Sequence, residues 1–222
     1  ENVSVLTHLG EGRWNAAMFK AHKTGVNAVS WAPIDAAATG GAGTPLRLVT
    51  GGCDNLLKIW RCDDGEHWVE SAVLPAVHTD WVRDVAWSAT PGVSGGAVIA
   101  SCAQDRKVVI WSEGGGQWNV KVIEHPAAIW SVSWSVTGGI LAAAGGDNQV
   151  TLWREAGGEW GRIGQLSEDS TVEGLAVEAE VVAISEDATS IAASKTAVES
   201  VLEAVLSIPS TDLSLDGLDY VY

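Results

Sequence analysis

His78-Thr-Asp-Trp-Val-Arg-Asp-Val-Ala-Trp87 has two counterparts in this chain, His22-Lys-Thr-Gly-Val-Asn-Ala-Val-Ser-Trp31 and His125-Pro-Ala-Ala-Ile-Trp-Ser-Val-Ser-Trp134. Each runs nine residues from His to Trp. A second box follows each of them: Thr50-Gly-Gly-Cys-Asp54-Asn-Leu-Leu-Lys-Ile-Trp60, Ser101-Cys-Ala-Gln-Asp105-Arg-Lys-Val-Val-Ile-Trp111 and Ala143-Ala-Gly-Gly-Asp147-Asn-Gln-Val-Thr-Leu-Trp153. The offset from Asp to Trp is six in all three, and successive second boxes lie 51 and then 42 residues apart. Self-similarity at such a period marks a repeat architecture, in which each copy is one supersecondary unit that buries its faces only against its neighbours.

Within a unit the periodicity is two, which means strands. Large apolar residues stand seven and nine positions after His (Val29 and Trp31, Val85 and Trp87, Val132 and Trp134), and mostly small ones stand at six and eight. Leu48–Thr50 and Val98–Ser101 read as second strands, and Leu56–Trp60, Val108–Trp111 and Val150–Trp153 as third strands after an Asp-bearing turn. A fourth strand begins near Trp14, Trp68, Trp118 and Trp160, each preceded by a Gly-containing hairpin turn at Gly12, Gly65, Gly116 and Gly158. Four antiparallel strands per unit, repeated radially, predict the blades of an all-β β-propeller, here one half-blade followed by three full ones over residues 1–164.

The His, hydroxyl, Asp and Trp of each unit have a joint physical task. Asp in the turn accepts from His, His meets the hydroxyl, and the hydroxyl accepts from the indole N–H, each bond contributing about 0.5–1.5 kcal/mol net. The expected structural networks are His22, Thr50, Asp54 and Trp60, then His78, Ser101, Asp105 and Trp111, then His125, Asp147 and Trp153, the last lacking its hydroxyl at Ala143. His with Asp and Ser is also the make-up of a hydrolase triad. A triad is needed once, whereas this set recurs at repeat spacing. The chain is therefore read as non-enzymatic, with no catalytic residues, cofactor, metal or small-molecule substrate. Of its 12 tryptophans, the ten at repeat positions are expected in the core.

Composition narrows the class. At 222 residues with 46% apolar content the chain reads as a globular protein, and no apolar run reaches the roughly 20 residues of a membrane helix. Neither is a signal peptide expected ahead of the first repeat. Cys53, Cys62 and Cys102 show no Cys-x-x-Cys spacing and read as free, mostly buried thiols of a reducing compartment. Residues 1–164 carry a net charge of −4 and residues 165–222 a net of −11, with Lys195 the one basic residue of the latter. Phosphate binding needs a basic surface, so nucleic acid is excluded as a partner. The acidic, aromatic-poor stretch 165–222 reads as a separate tail, disordered or partly helical, with apolar residues at helical spacing in Ala197–Leu206.

Positions that change between matching units are not dictated by blade packing. Three residues after His the units carry Gly25, Trp81 and Ala128, and five after they carry Asn27, Arg83 and Trp130. Trp and Arg are enriched at binding hot spots, so Trp81, Arg83 and Trp130 are candidate partner-binding residues. The plainer alternative, that both rings fill local gaps between blades, stays open at this point. The links Pro33–Leu46 and Thr90–Ala97 read as flexible surface insertions.

Val26-Asn-Ala-Val-Ser-Trp-Ala-Pro33, Gly51–Trp60, Asp80–Trp87, Ala100–Asp105 and Gly145–Trp153 together resemble the "Sec thirteen" family of WD-repeat propellers, over about Asn2 to Trp160. The resemblance implies an open six-bladed propeller without catalytic activity, of which blades four to six follow Asn2–Thr7, similar to the end of the third. It implies a scaffold of the COPII outer coat in ER-to-Golgi transport and of the nuclear pore Y-complex. The implied partners are a large helical coat subunit or nucleoporins that complete the propeller by strand and blade pairing. The implied place is the cytosolic side of ER exit sites and COPII vesicles, peripheral to the membrane through partners, and the nuclear pore. Relative to that pattern the earlier blades are missing, and the chain is expected to need a partner, with Ile129–Trp160 as the contact and Val150–Trp153 gaining protection. The alternative is a WD-repeat adaptor that binds short peptides on the propeller face.

Overall fold

The computed structural model describes residues 1–33, 45–92 and 95–167. Among these the chain is all strand. β1 (Asn2–Gly10) and β2 (Arg13–Lys20) form a two-stranded sheet. Three four-stranded sheets follow: β3 (Val26–Trp31), β4 (Leu46–Gly52), β5 (Leu57–Cys62) and β6 (Trp68–Val73); β7 (Val82–Trp87), β8 (Val98–Ala103), β9 (Lys107–Gly114) and β10 (Gln117–Glu124); β11 (Ile129–Trp134), β12 (Ile140–Gly145), β13 (Gln149–Ala156) and β14 (Glu159–Ser167). Each sheet is an antiparallel meander in sequence order, so the half-blade and three full blades read from the repeat are borne out. β14 continues past residue 164, where the acidic tail was expected to begin. The helical stretch expected at Ala197–Leu206, and most of both insertions, lie outside the described residues.

The repeat is kept at the level of hydrogen-bond register. Leu48 faces Trp60, Ile99 faces Trp111 and Leu141 faces Trp153 across the second and third strands. The turn between them needs one left-handed residue, and it is Asn55, Arg106 and Asn148 in turn, at φ of 65, 67 and 58°. Asn tolerates this conformation better than Arg does, yet the geometry is held in all three turns. The hairpins before β2, β10 and β14 use adjacent positive-φ residues, Glu11 with Gly12, Gly115 with Gly116 and Gly157 with Gly158.

The core lies between sheets rather than within one. Val49, Leu57, Ile59 and Leu74 of the first full blade meet Val82, Val85, Trp87, Ile99, Val109 and Trp111 of the second. The opposite face of the second blade sends Val98, Ala100, Cys102, Val108 and Ile110 against Ile129, Val132, Leu141 and Ala143 of the third. Both faces of the middle blade are thus covered, and all six residues of β8 are buried. Half-blade residues Val3, Val5 and Phe19 cover Leu48, Trp60, Cys62 and Trp68.

Two of the tryptophans expected in the core are not there. Trp31 is 51% exposed, although its counterpart Trp87 is only 7% exposed. Trp87 has a complete sheet against it, whereas the two strands of the half-blade pack over Trp60 and Trp68 and leave Val29 and Trp31 facing solvent. Trp31 retains a tilted contact with Trp68 at 5.7 Å. Trp14 is 61% exposed and lies against His8 at 4.8 Å.

Candidate docking site and the repeated buried network

In the first full blade His22 Nδ1–H donates to Asp54 Oδ1 (2.7 Å), and its Nε2 meets Thr50 Oγ1 (2.8 Å), which accepts from Trp60 Nε1–H (3.0 Å). Asp54 also receives the backbone N–H of Leu56 (3.3 Å) and of Lys23 (3.4 Å). It thereby ties the turn to the strand connection on which His22 sits. The second blade repeats this with His78 Nδ1 to Asp105 Oδ2 (3.1 Å), His78 Nε2 to Ser101 Oγ (2.8 Å) and Trp111 Nε1–H to Ser101 Oγ (2.9 Å). Thr79 and Lys107 donate their backbone N–H groups to Asp105 at 2.9 and 3.1 Å.

The third blade departs from its expected network in two ways. His125 makes no hydrogen bond to Asp147 among the described residues, and its Nε2 is buried without a partner. The hydroxyl is not simply missing either. Trp153 Nε1–H donates to Thr151 Oγ1 (3.0 Å), and Thr151 Oγ1–H in turn reaches the Ala143 carbonyl (3.4 Å). Thr151 pairs directly with Ala143 across β12 and β13, so its side chain replaces the absent one from the neighbouring strand. His125 then has no hydroxyl to anchor it and packs its ring edge-on to Trp153 at 5.6 Å. A Thr two residues before the box-ending Trp is the sequence signal for this swap.

Burial also speaks to chemistry. Thr50 and Ser101 are each 0% exposed and each receives an indole N–H, so neither hydroxyl is open to a substrate.

Burial pushes the His22 imidazole below its usual range, against the opposing hydrogen bond and charge of Asp54. Burial likewise lowers His125, opposed by the charge of Asp147. In the unfolded chain both titrate near 6.5. Below that pH the unfolded state takes up protons that the native state resists, so acidification favours unfolding. Asp54 and Asp105 add to the effect at lower pH. Burial raises both, but hydrogen bonds from the facing histidines and backbone N–H groups outweigh it and leave both below the usual carboxylate range. Two groups act in the opposite sense: exposed His67, raised by its hydrogen bond to Asp64, and Asp84, raised by burial. The net expectation is a urea midpoint that falls between pH 7 and 5, with a smaller fall in His125→Gln. A midpoint flat across that range, or an unchanged slope in the variant, would contradict it.

The candidate partner-binding residues meet at one end of the second and third blades. The first strand of each full blade shifts register at one equivalent place, between Val26 and Ala28, Val82 and Asp84, and Ile129 and Ser131. The residues left at these bulges are Asn27, Arg83 and Trp130. A bulge re-aims its side chain out of the regular alternation, which is why these positions vary while the rest of the unit repeats. The guanidinium of Arg83 lies over both indoles, 5.3 Å from the Trp81 ring and 5.0 Å from the Trp130 ring. Both rings are 47% exposed. Arg83 Nη2–H donates to Gln104 Oε1, and the Gln104 backbone N–H donates to the Trp81 carbonyl (3.1 Å).

Asp84, next along the strand, turns inward. It accepts from Ser131 Oγ–H (2.7 Å) and Val132 N–H (3.0 Å) of the next blade. Asn27 Nδ2–H donates to the Val82 carbonyl (2.7 Å) across the preceding junction. The first blade thus spends its bulge residue on holding blades together, whereas the second holds them through Asp84 and leaves Arg83 to its indoles.

Antiparallel four-stranded sheets stacked in sequence order, each tying a strand-two or strand-three hydroxyl to a strand-three indole, define an arc of a β-propeller. The family model described as "WD domain, G-beta repeat" matches residues 15–61, 71–112 and 118–154, more than half of the chain, and the chain belongs to that family. Each matched unit joins the outer strand of one sheet to the first three of the next.

Among curated proteins the chain is similar to "Protein SEC13 homolog" of Drosophila melanogaster, 47% identical over 149 residues that cover 62% of this chain and 41% of that protein. It is 42% identical over 146 residues to "Protein transport protein SEC13" of Yarrowia lipolytica (61% of this chain, 48% of that protein). It is 41% identical over 147 residues to "Protein SEC13 homolog" of Homo sapiens (61% and 45%). The resemblance drawn from the sequence boxes is borne out, and the chain spans less than half the length of each of these relatives.

Proposed function

We propose that the chain acts as a non-catalytic scaffold in protein transport, in the COPII outer coat and in the nuclear pore. The observation that carries this reading is its 41–47% identity, over 146 to 149 residues, to SEC13 proteins, one of which is named a protein transport protein. In this reading the blades pair with an elongated helical partner, a large coat subunit or a nucleoporin, on the cytosolic side of ER exit sites and at the pore. The fold supplies a physical basis for such pairing. Among the described residues β1 is hydrogen-bonded only to β2, and β11 and β14 are the outer strands of the last sheet. An unpaired edge of this kind recruits another strand.

The His–Asp–hydroxyl–Trp sets serve this reading as internal ties that keep the blades rigid under load. Trp81, Arg83 and Trp130 serve as a docking point on the rim. A second reading, an adaptor that takes a short peptide on the propeller face, draws its support from the half-exposure of both of these indoles.

Co-expression with a large helical coat subunit or a nucleoporin is expected to raise soluble yield and give a complex that survives gel filtration. A soluble chain that migrates alone, with yield unchanged by either partner, would contradict the scaffold reading.

A further inference from the structure

The Trp81–Arg83–Trp130 cluster holds a cation ready for a ligand that the described residues do not supply. Five ion pairs between Lys or Arg and a carboxylate link the described residues, and none includes Arg83. The neighbouring carboxylate of Asp84 is committed to Ser131 and Val132 of the next blade, and that of Asp80 accepts from the Trp81 backbone N–H (2.7 Å). Arg83 Nε is buried and has no acceptor. Its guanidinium plane is fixed by two rings and by Gln104, so little rotamer freedom is left to lose on binding.

A guanidinium held over two aromatic faces presents its remaining N–H groups beside two half-exposed apolar surfaces. The ligand that complements this arrangement has an anionic, planar acceptor with apolar groups on either side. In a polypeptide that is an Asp or Glu side chain flanked by aliphatic or aromatic residues. The carboxylate would take charge-assisted hydrogen bonds from the guanidinium, and the flanking side chains would cover the indoles.

We infer that Trp81, Arg83 and Trp130 seat an acidic residue with apolar neighbours from a partner protein's extended segment. This rests on the partner-binding reading of the three residues given above and adds the chemistry of what they bind.

Selection of a fully randomised nine-residue peptide library on the folded chain tests it. Enrichment of Asp or Glu between apolar residues is expected. The selected peptide should then bind at least about tenfold more weakly when its acid is replaced by the matching amide, a loss in keeping with one charge-assisted contact. Arg83→Gln should weaken it to a similar extent, and Arg83→Lys should not fully restore it, because an ammonium lacks the planar fork that stacks between the rings. The amide peptide keeps the test independent of whether the protein variants fold.

Selection of basic or purely apolar peptides, equal binding of acid and amide forms, or no selection at all would overturn the inference. If the acid is selected but coat subunit and nucleoporin fail to co-purify, the scaffold reading fails and the seat stands. If either co-purifies and the library yields nothing acidic, the reverse holds.

Discussion

Trp111→Ala is expected to destabilise the chain by about 3–5 kcal/mol, the usual cost of truncating a buried aromatic residue to alanine. Trp111 is 0% exposed and sits in the cluster between the first two full blades. Removing it opens a cavity against Val85, Ile99 and Val109, and it also takes the indole donor from Ser101 Oγ. The same truncation at Trp31 is expected to cost much less, since that ring is already half in water. Urea unfolding of both variants decides the matter. Equal losses would mean that Trp31 is covered in solution and that the half-blade packs differently.

Asp105→Ala is expected to cost about 1–3 kcal/mol, because it strips His78 Nδ1 and the backbone N–H groups of Thr79 and Lys107 of their shared acceptor. Asp147→Ala should cost clearly less. Asp147 receives only the Gln149 backbone N–H (3.3 Å) among the described bonds, and His125 does not lean on it. Chemical denaturation compares the two directly. Equal losses would contradict the blade-by-blade assignment of the networks.

Most of the fold was legible because a repeat reports the same geometry three times. The His-to-Trp and Asp-to-Trp spacings fixed strand number, turn position and sheet order, since period-two apolar patterns repeated at a constant offset leave little freedom in register. What the pattern could not carry was the context of each copy. Trp31 and Trp87 occupy the same position in their units, yet one is exposed and the other buried, because exposure depends on the sheet next door and not on the unit itself.

The third network failed for a similar reason. Ala143 announced a lost hydroxyl, but its replacement came from Thr151, opposite it on the paired strand, and the Thr two residues before Trp153 gains that meaning only once the two strands are in register. The Trp81–Arg83–Trp130 cluster was visible only as variation at matched positions. That two of these are bulge residues, and that the rings from two different blades close on one guanidinium, follows from register shifts that only three-dimensional pairing shows. The expected protection at Val150–Trp153 also needs revision. These residues lie on β13, which is hydrogen-bonded on both sides, so its amides have little protection left to gain.

Hydrogen exchange on the chain, alone and mixed with a large helical coat subunit, tests the scaffold reading most directly. Slowed exchange is expected along the edge strands β11 and β14, which among the described residues are paired on one side only, with β12 and β13 unchanged. Identical exchange at every amide with and without the coat subunit would contradict partner binding by strand and blade pairing.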